Sequence, residues 1–291
     1  MFVNRALFIE FKRNGGILMK LSFFLLIAFS PFLVGAQLTA KEFHITYEVN
    51  NKVELFSTSL LFTGVCFGYS RIGANGRVKE NQLLGLNQSN VNPFDRNVFS
   101  NEAAGFGQAK SVSDILLAGS VIAPVFMLID RSIRAQWKSV FLLYFEAQVL
   151  NSMIYQLAAF SIERARPLSY SFDLTNTQRT AKGTSNSFFS GHTSSTAVAS
   201  FFMAQVISDV HQLAGKQRAA LLLLATVPPA VMGYLRIKAG KHFRTDVLIG
   251  GFVGAVSAVL VPVLHKKNRK LSVIPVINLK VKGVSLSYNL S

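Results

Sequence analysis

Apolar and polar positions alternate in long blocks along this chain. From Ser113 onward, apolar runs cover 114–129, 137–162, 192–210, 219–235 and 247–264, separated by short charged segments. Most reach the roughly 20 residues that a helix needs to cross a bilayer once flanking residues are counted. Few charges interrupt them, which favours membrane helices over the buried helices of a soluble all-α protein. The polar residues inside the blocks, Glu146, Gln148, Asn151, Gln156 and Gln205, are expected to face other helices rather than lipid. The small residues of 250–255 (Gly-Gly-Phe-Val-Gly-Ala) permit close helix contact.

Before Ser113 the pattern is less regular. Residues 21–34 are apolar behind Lys20, and Val34-Gly35-Ala36 satisfies the small-residue cleavage rule, so 19–36 reads as a secretory signal peptide or an uncleaved anchor. Residues 56–69 are apolar but short for a span. A cleaved signal followed by a spanning 56–69 would put everything downstream on the wrong side, so a non-spanning or tilted first block is expected. Residues 71–110 form a long polar stretch, which calls for a function or for short helices of its own. After 264 the pattern changes again: 273–290 is β-branched and partly alternating, reading as two short strands with Lys282-Gly283 as a turn.

The resulting expectation is an all-α, membrane-embedded bundle of about five to six helices with a short C-terminal β-like tail. Its divisions are an N-terminal lead and signal at 1–36, a segment at 37–112, a helical core at 113–266 and a basic tail at 267–291.

Composition agrees with the membrane reading. Of 291 residues 50% are hydrophobic and 15% charged, and 25 are Phe. Lys and Arg number 30 against 14 Asp and Glu, a net charge of +16. Beside long apolar blocks, that excess points to anionic lipid head groups and cytoplasmic anchoring rather than nucleic acid. The single cysteine, Cys66, excludes a disulfide framework and a thiolate metal site. Positive charge gathers at Arg131, Arg134 and Lys138, at Lys216 and Arg218, and at Lys266, Lys267, Arg269 and Lys270. If each block spans once, these places share one side, the cytoplasmic one. The other side holds 163–190 and 236–244, facing the periplasm if the cell is bacterial.

Three clusters on that outer side carry candidate chemistry. Arg236, His242 and Asp246 are spaced Arg-x5-His-x3-Asp. Residues four apart share a helix face, so Asp246 is expected to reach back to the His242 ring. Such a carboxylate fixes the imidazole tautomer and makes the other nitrogen a better nucleophile, and an arginine upstream receives anions. A solvated loop is the alternative. Glu163-Arg164-Ala165-Arg166-Pro167 offers two guanidiniums at a helix end, as an anion clamp or as interface snorkelling. Ser190-Gly191-His192 opens the fourth block, where a hydroxyl, free N–H groups and the helix dipole make a phosphate seat. His192 there is a candidate general acid, or an incidental residue after an N-cap.

In their order and spacing these clusters resemble the type 2 phosphatidic acid phosphatase superfamily, which also includes bacterial acid phosphatases and vanadium haloperoxidases. The resemblance covers 137–264. It implies that His242 is the nucleophile that becomes a phosphohistidine, that Asp246 orients it, and that His192 protonates the leaving oxygen and then activates water. Arg166, Arg236, Ser190 and the Gly191 N–H match the phosphate cradle. No metal or other cofactor is implied, because cations and amides neutralise the transferring group.

Three positions depart from the family pattern. Ala159 replaces a lysine, Phe189 a proline and Leu235 a serine. Losing the lysine removes a cation, a cost of about 10²–10³ in rate if nothing replaces it; Arg164 and Lys182 are the candidates to do so. The implied function is hydrolysis of a phosphorylated membrane lipid, with no nucleic-acid partner and the oligomeric state left open. A non-catalytic phospholipid binder and a vanadium haloperoxidase-like enzyme are the alternatives.

Overall fold

The structure is a computed structural model, which describes residues 45–267, 271–277 and 282–288. The signal or anchor reading of 19–36 therefore lies outside the described residues, as do Arg269 and Lys270.

Among the described residues, seven longer helices carry the fold. They are α1 (Asn51–Asn75), α2 (Phe106–Ile122), α3 (Trp137–Ser161), α4 (Gly191–Val210), α5 (Gly215–Leu224), α6 (Val227–Lys238) and α7 (Arg244–Leu264). Turns of 3₁₀ helix at Ala103–Gly105 and Ala123–Ile129 extend α2 at both ends. The fifth apolar-to-polar stretch breaks between α5 and α6, where Pro228 and Pro229 occupy the first turn of α6; proline lacks the N–H that an uninterrupted helix would need there. Elsewhere the ends follow local capping. Asn50 accepts from Val53 N at the start of α1, and Asp246 accepts from Phe243 N (2.8 Å) at the start of α7.

Among the described residues, three segments are long and apolar enough to cross a membrane: Ala103–Ile129, Gly215–Lys238 and Arg244–Leu264. Their outer faces are apolar too. On α7, Leu248 is 61% and Phe252 68% exposed, with Ile249, Val256 and Leu260 alongside. A soluble protein does not leave a stripe of that size in water, so the chain is an integral membrane protein.

The centre of the bundle is α4, buried along nearly its whole length, with α7 as its main partner. Gly250 and Gly254 make that approach possible: a Cβ at Gly250 would stand 2.6 Å from the Ser190 carbonyl oxygen, and one at Gly254 would overlap the Ser194 carbonyl. The polar residues within the helices point inward, as expected. Asn151 donates to Ser194 Oγ (3.1 Å), Gln148 to the Ser195 carbonyl (3.3 Å) and Gln156 to the Val65 carbonyl (2.6 Å). These three amide donors, which would be orphaned in lipid, are satisfied by neighbouring helices.

The two ends of the bundle differ. At one end Asp130 meets His211 (2.9 Å), Lys266 meets Asp209 (2.7 Å) and Gln136 accepts from Thr46 N (3.1 Å). These contacts bring the basic segments together on one side. The other end holds the loops 162–190 and 239–246. Helix α1 joins the two ends: Glu54, in its first turn, lies 3.2 Å from His265, while Val78, just past its last turn, donates to Thr184 Oγ1 (3.0 Å). At 25 residues it is about 38 Å long. The apolar run 56–69 is the middle of this longer helix, which begins and ends in polar residues and is not among the three segments long and apolar enough to cross a membrane.

The polar stretch 71–110 does hold short helical turns, at Glu80–Leu83, Gln88–Asn90 and Arg96–Ser100. The tail forms an antiparallel pair, β1 (Leu271–Ile277) with β2 (Lys282–Tyr288), in which Gly283 pairs with Val276. Lys282 and Gly283 thus open the second strand rather than making the turn.

Candidate active site

The end formed by loops 162–190 and 239–246 gathers the three motif clusters. After α6 the chain turns at Gly240, with Lys241 N donating to the Arg236 carbonyl (3.1 Å), and this turn carries His242 into the interior. His242 is 2% exposed. Its Nδ1 lies 2.7 Å from the Ser187 carbonyl oxygen. A carbonyl can only accept, so Nδ1 carries the proton and Nε2 keeps its lone pair. Burial, then the charges of Arg166 and Arg236, hold the His242 pKa well below its ordinary value, outweighing the Ser187 carbonyl, which raises it. That direction favours the neutral ring, with the Nε2 lone pair free.

Asp246 does not make the expected direct contact. Its Oδ2 stands 3.9 Å from His242 Nδ1, beyond hydrogen-bond range. The carboxylate instead accepts from Ser187 Oγ (2.6 Å), from Phe243 N (2.8 Å) and from Arg164 Nη1. Position four after the histidine is the N3 position of α7, where a carboxylate turns back onto the helix's own N-terminus. Ser187 lies between the two: Asp246 accepts from its hydroxyl, and its carbonyl accepts from the His242 ring. Ser187 was not singled out from the sequence as a site residue.

Arg164 is likewise engaged away from the cradle. Its guanidinium joins Asp246 to Asp95 (Nη2–Oδ2 2.8 Å), donates to Thr245 Oγ1 (2.9 Å) and lies over the Phe243 ring. Asp95, from the polar stretch before α2, also accepts from Thr245 N (2.9 Å). With its fork taken by two carboxylates, Arg164 has no bidentate face left for a phosphate, and Lys182 is exposed on its loop. Ala159 packs against the apolar cluster of Ile72, Tyr155 and Phe189, so no cation stands at that position.

The structure brings a different lysine close. Lys241 is half-buried, and its pKa is lowered to about 8 by burial and then by Arg166, Arg236 and Lys110, with Asp114 opposing. It lies in the same positive field as His242. A lysine beside the motif histidine was the available signal for it.

Arg166 donates to the Asn186 carbonyl (Nη2 3.2 Å). Arg236 is 4% exposed and donates from Nη1 to Ser113 Oγ (3.0 Å) and Asp114 Oδ1 (3.4 Å). Its Nε is buried with no hydrogen-bond partner among the described residues. Asp114 Oδ1 is also 3.0 Å from His192 Nε2, and Lys110 pairs with the same carboxylate (3.2 Å). Ser113, Asp114 and Lys110 lie on α2, which contributes no motif, and they were not anticipated as site residues. Asp114 is an anion lying against Arg236 and His192 together, an arrangement that also suits a phosphate oxygen. Ser190 is fully buried; its hydroxyl contacts Thr193 Oγ1 (2.9 Å) and accepts from Thr193 N as the cap of α4. Gly191 and His192 follow with first-turn amides of the kind that bind anions.

The geometry is that of an anion seat beside a neutral imidazole. Residues 140–270 match the model of the PAP2 superfamily. No curated protein matches the chain. Among solved structures it is similar to the crystal structure described as the first transmembrane PAP2 type phosphatidylglycerolphosphate phosphatase, from Bacillus subtilis. The two are 19% identical, with a TM-score of 0.40, over 70% of this chain and 93% of that one.

Proposed function

We propose that this protein is a membrane phosphatase of the PAP2 superfamily that removes phosphate from a lipid phosphomonoester or pyrophosphate. The observation that carries the reading is the His242 ring, held by its Nδ1–H on the Ser187 carbonyl at 2.7 Å within the field of Arg166 and Arg236.

His242 Nε2 attacks phosphorus, and the bond from phosphorus to the lipid oxygen breaks as His192 protonates that oxygen. Water, deprotonated by His192, then attacks the phosphohistidine and releases inorganic phosphate. Arg166, Arg236 and Lys241 balance the charge on the transferring group, with the Gly191 amide completing the seat. Lys241 takes the role of the lysine that Ala159 replaces. Asp114 leaves Arg236 and His192 when phosphate arrives, and Asp246 keeps His242 oriented through Ser187. Ser190 shapes the seat as the helix cap, while Arg164 braces Asp246 rather than binding phosphate.

A site at one end of a membrane bundle favours lipid substrates over soluble ones. The basic segments at the opposite end favour a periplasm-facing site by the positive-inside rule. Phosphatidic acid, phosphatidylglycerophosphate, undecaprenyl pyrophosphate and the phosphates of lipid A are the substrates to assay. Detergent-purified protein is expected to release phosphate from at least one of them and His242→Ala from none. Equal inertness of both proteins on all four would favour a non-catalytic phospholipid binder.

A further inference from the structure

We propose that Glu54, Glu146 and His265 form a binding site for a divalent transition-metal ion at the end of the bundle opposite His242. The three residues come from distant parts of the chain: the first turn of α1, the middle of α3, and the residue after α7. One ligand atom from each lies within 4.8 Å of the others. His265 Nε2 is 3.2 Å from Glu54 Oε1 and 3.8 Å from Glu146 Oε2. Ligands about 2.1 Å from a tetrahedral ion stand about 3.4 Å apart, so these separations need little adjustment.

The hydrogen bonding around the histidine supports the assignment independently of the cluster. His265 Nδ1 lies 2.9 Å from the Val261 carbonyl, one turn back on α7. That carbonyl accepts the Nδ1 proton, so in the neutral ring Nε2 presents a lone pair to the two carboxylates. Metal-binding histidines are oriented in this way by a backbone carbonyl on the far nitrogen. Glu146 Oε2 is a buried oxygen with no hydrogen-bond partner among the described residues. A lone pair and two carboxylate oxygens facing one another repel unless a cation lies between them. A divalent ion neutralises both carboxylates, whereas a protonated imidazole leaves one negative charge over, in a partly desolvated place where unbalanced charge is costly.

One nitrogen and two carboxylate oxygens suit zinc, cobalt or manganese, with water completing the coordination. The ion would tie α1 to α3 and to the exit of α7, roughly 28 Å along α7 from Asp246. It therefore lies outside the proposed phosphate chemistry.

The test is a Co²⁺ titration of untagged, chelator-treated, full-length protein in detergent micelles, followed by visible absorption. Expected is one saturable equivalent with d–d bands of a nitrogen- and oxygen-ligated ion. Glu146→Gln and His265→Gln should each weaken it at least about 10-fold, more than an outer-shell partner alone would cost at the low end. Should Glu146→Gln not fold, Glu54→Gln, near the start of its helix, makes the same comparison. Absence of saturable binding would overturn the proposal. Binding that survives the glutamate variants, or the His265 variant, would overturn it equally.

Discussion

The carbonyl of Ser187 lies 2.7 Å from Nδ1 of His242, and so the ring is oriented by backbone rather than by the carboxylate four residues further on. Asp246 reaches the ring only through the Ser187 hydroxyl. Ser187→Ala keeps the carbonyl and removes one charge-assisted hydrogen bond. It is expected to lower kcat about 10-fold, from a loss of about 1.5 kcal/mol in positioning, with KM little changed. Steady-state kinetics on the preferred lipid measure this; an unchanged kcat would mean that the Asp246–Ser187 link does not orient the ring.

Arg164 serves the same assembly from the other side. Arg164→Ala leaves Asp95 and Asp246, both almost fully buried, without their shared cation. Removing one partner of a buried ion pair costs about 3–5 kcal/mol. Arg164 is 25% exposed and Thr245 still donates to Asp95, so about 2 kcal/mol is the expected destabilisation here. Its signature is a lower unfolding temperature and lower kcat at unchanged affinity for inorganic phosphate. Weakened phosphate binding without loss of stability would instead place Arg164 in the cradle.

Lys241 is expected to give the rate an alkaline limb. With its pKa lowered to about 8, it is charged below that pH and loses its charge as the pH rises through it. Hydrolysis that needs this charge should therefore fall above about pH 8. His242, with its pKa held well below the usual histidine value, stays unprotonated through the neutral range and causes no loss of rate there. Lys241→Ala should lower kcat/KM about 10²-fold, the scale of one lost transition-state donor, and Lys241→Arg should restore part of it while moving the alkaline limb upward. An alkaline limb that stays near pH 8 in the arginine variant would assign it to another group.

Gly254 and Gly251 separate packing from composition. A methyl at Gly254 would overlap the Ser194 carbonyl, whereas one at Gly251 would meet only Thr193 Cγ2 at 3.9 Å. Gly254→Ala should force α7 away from α4 and cost about 1–3 kcal/mol, while Gly251→Ala should be near neutral. Thermal unfolding in detergent compares them directly; equal effects would contradict the close packing.

Much of this was legible in the sequence because it is periodic or local. Apolar blocks mark helices, prolines mark the break before α6, and Arg236, His242 and Asp246 lie within eleven positions of one another. What was not legible depends on contacts far apart in the chain. Asp246 faces Ser187 and Arg164, 59 and 82 positions away, and no local rule distinguishes that from a contact with His242. Asp114 and Lys110 sit at the edge of an apolar block and gain their meaning only when α2 packs against α4 and α6. The first block looked too short because its ends are polar, and those ends meet loops at both faces of the bundle.

The central claim, phosphoryl transfer to His242, is tested most directly by trapping the intermediate. His192→Ala, given an aryl phosphate whose leaving group needs no acid, should form the phosphoenzyme and hydrolyse it slowly. After a rapid alkaline quench, peptide mass spectrometry should find an acid-labile phosphate on His242. A wild-type enzyme that turns over while neither protein carries phosphate on His242, or one that carries it on another residue, would contradict the account.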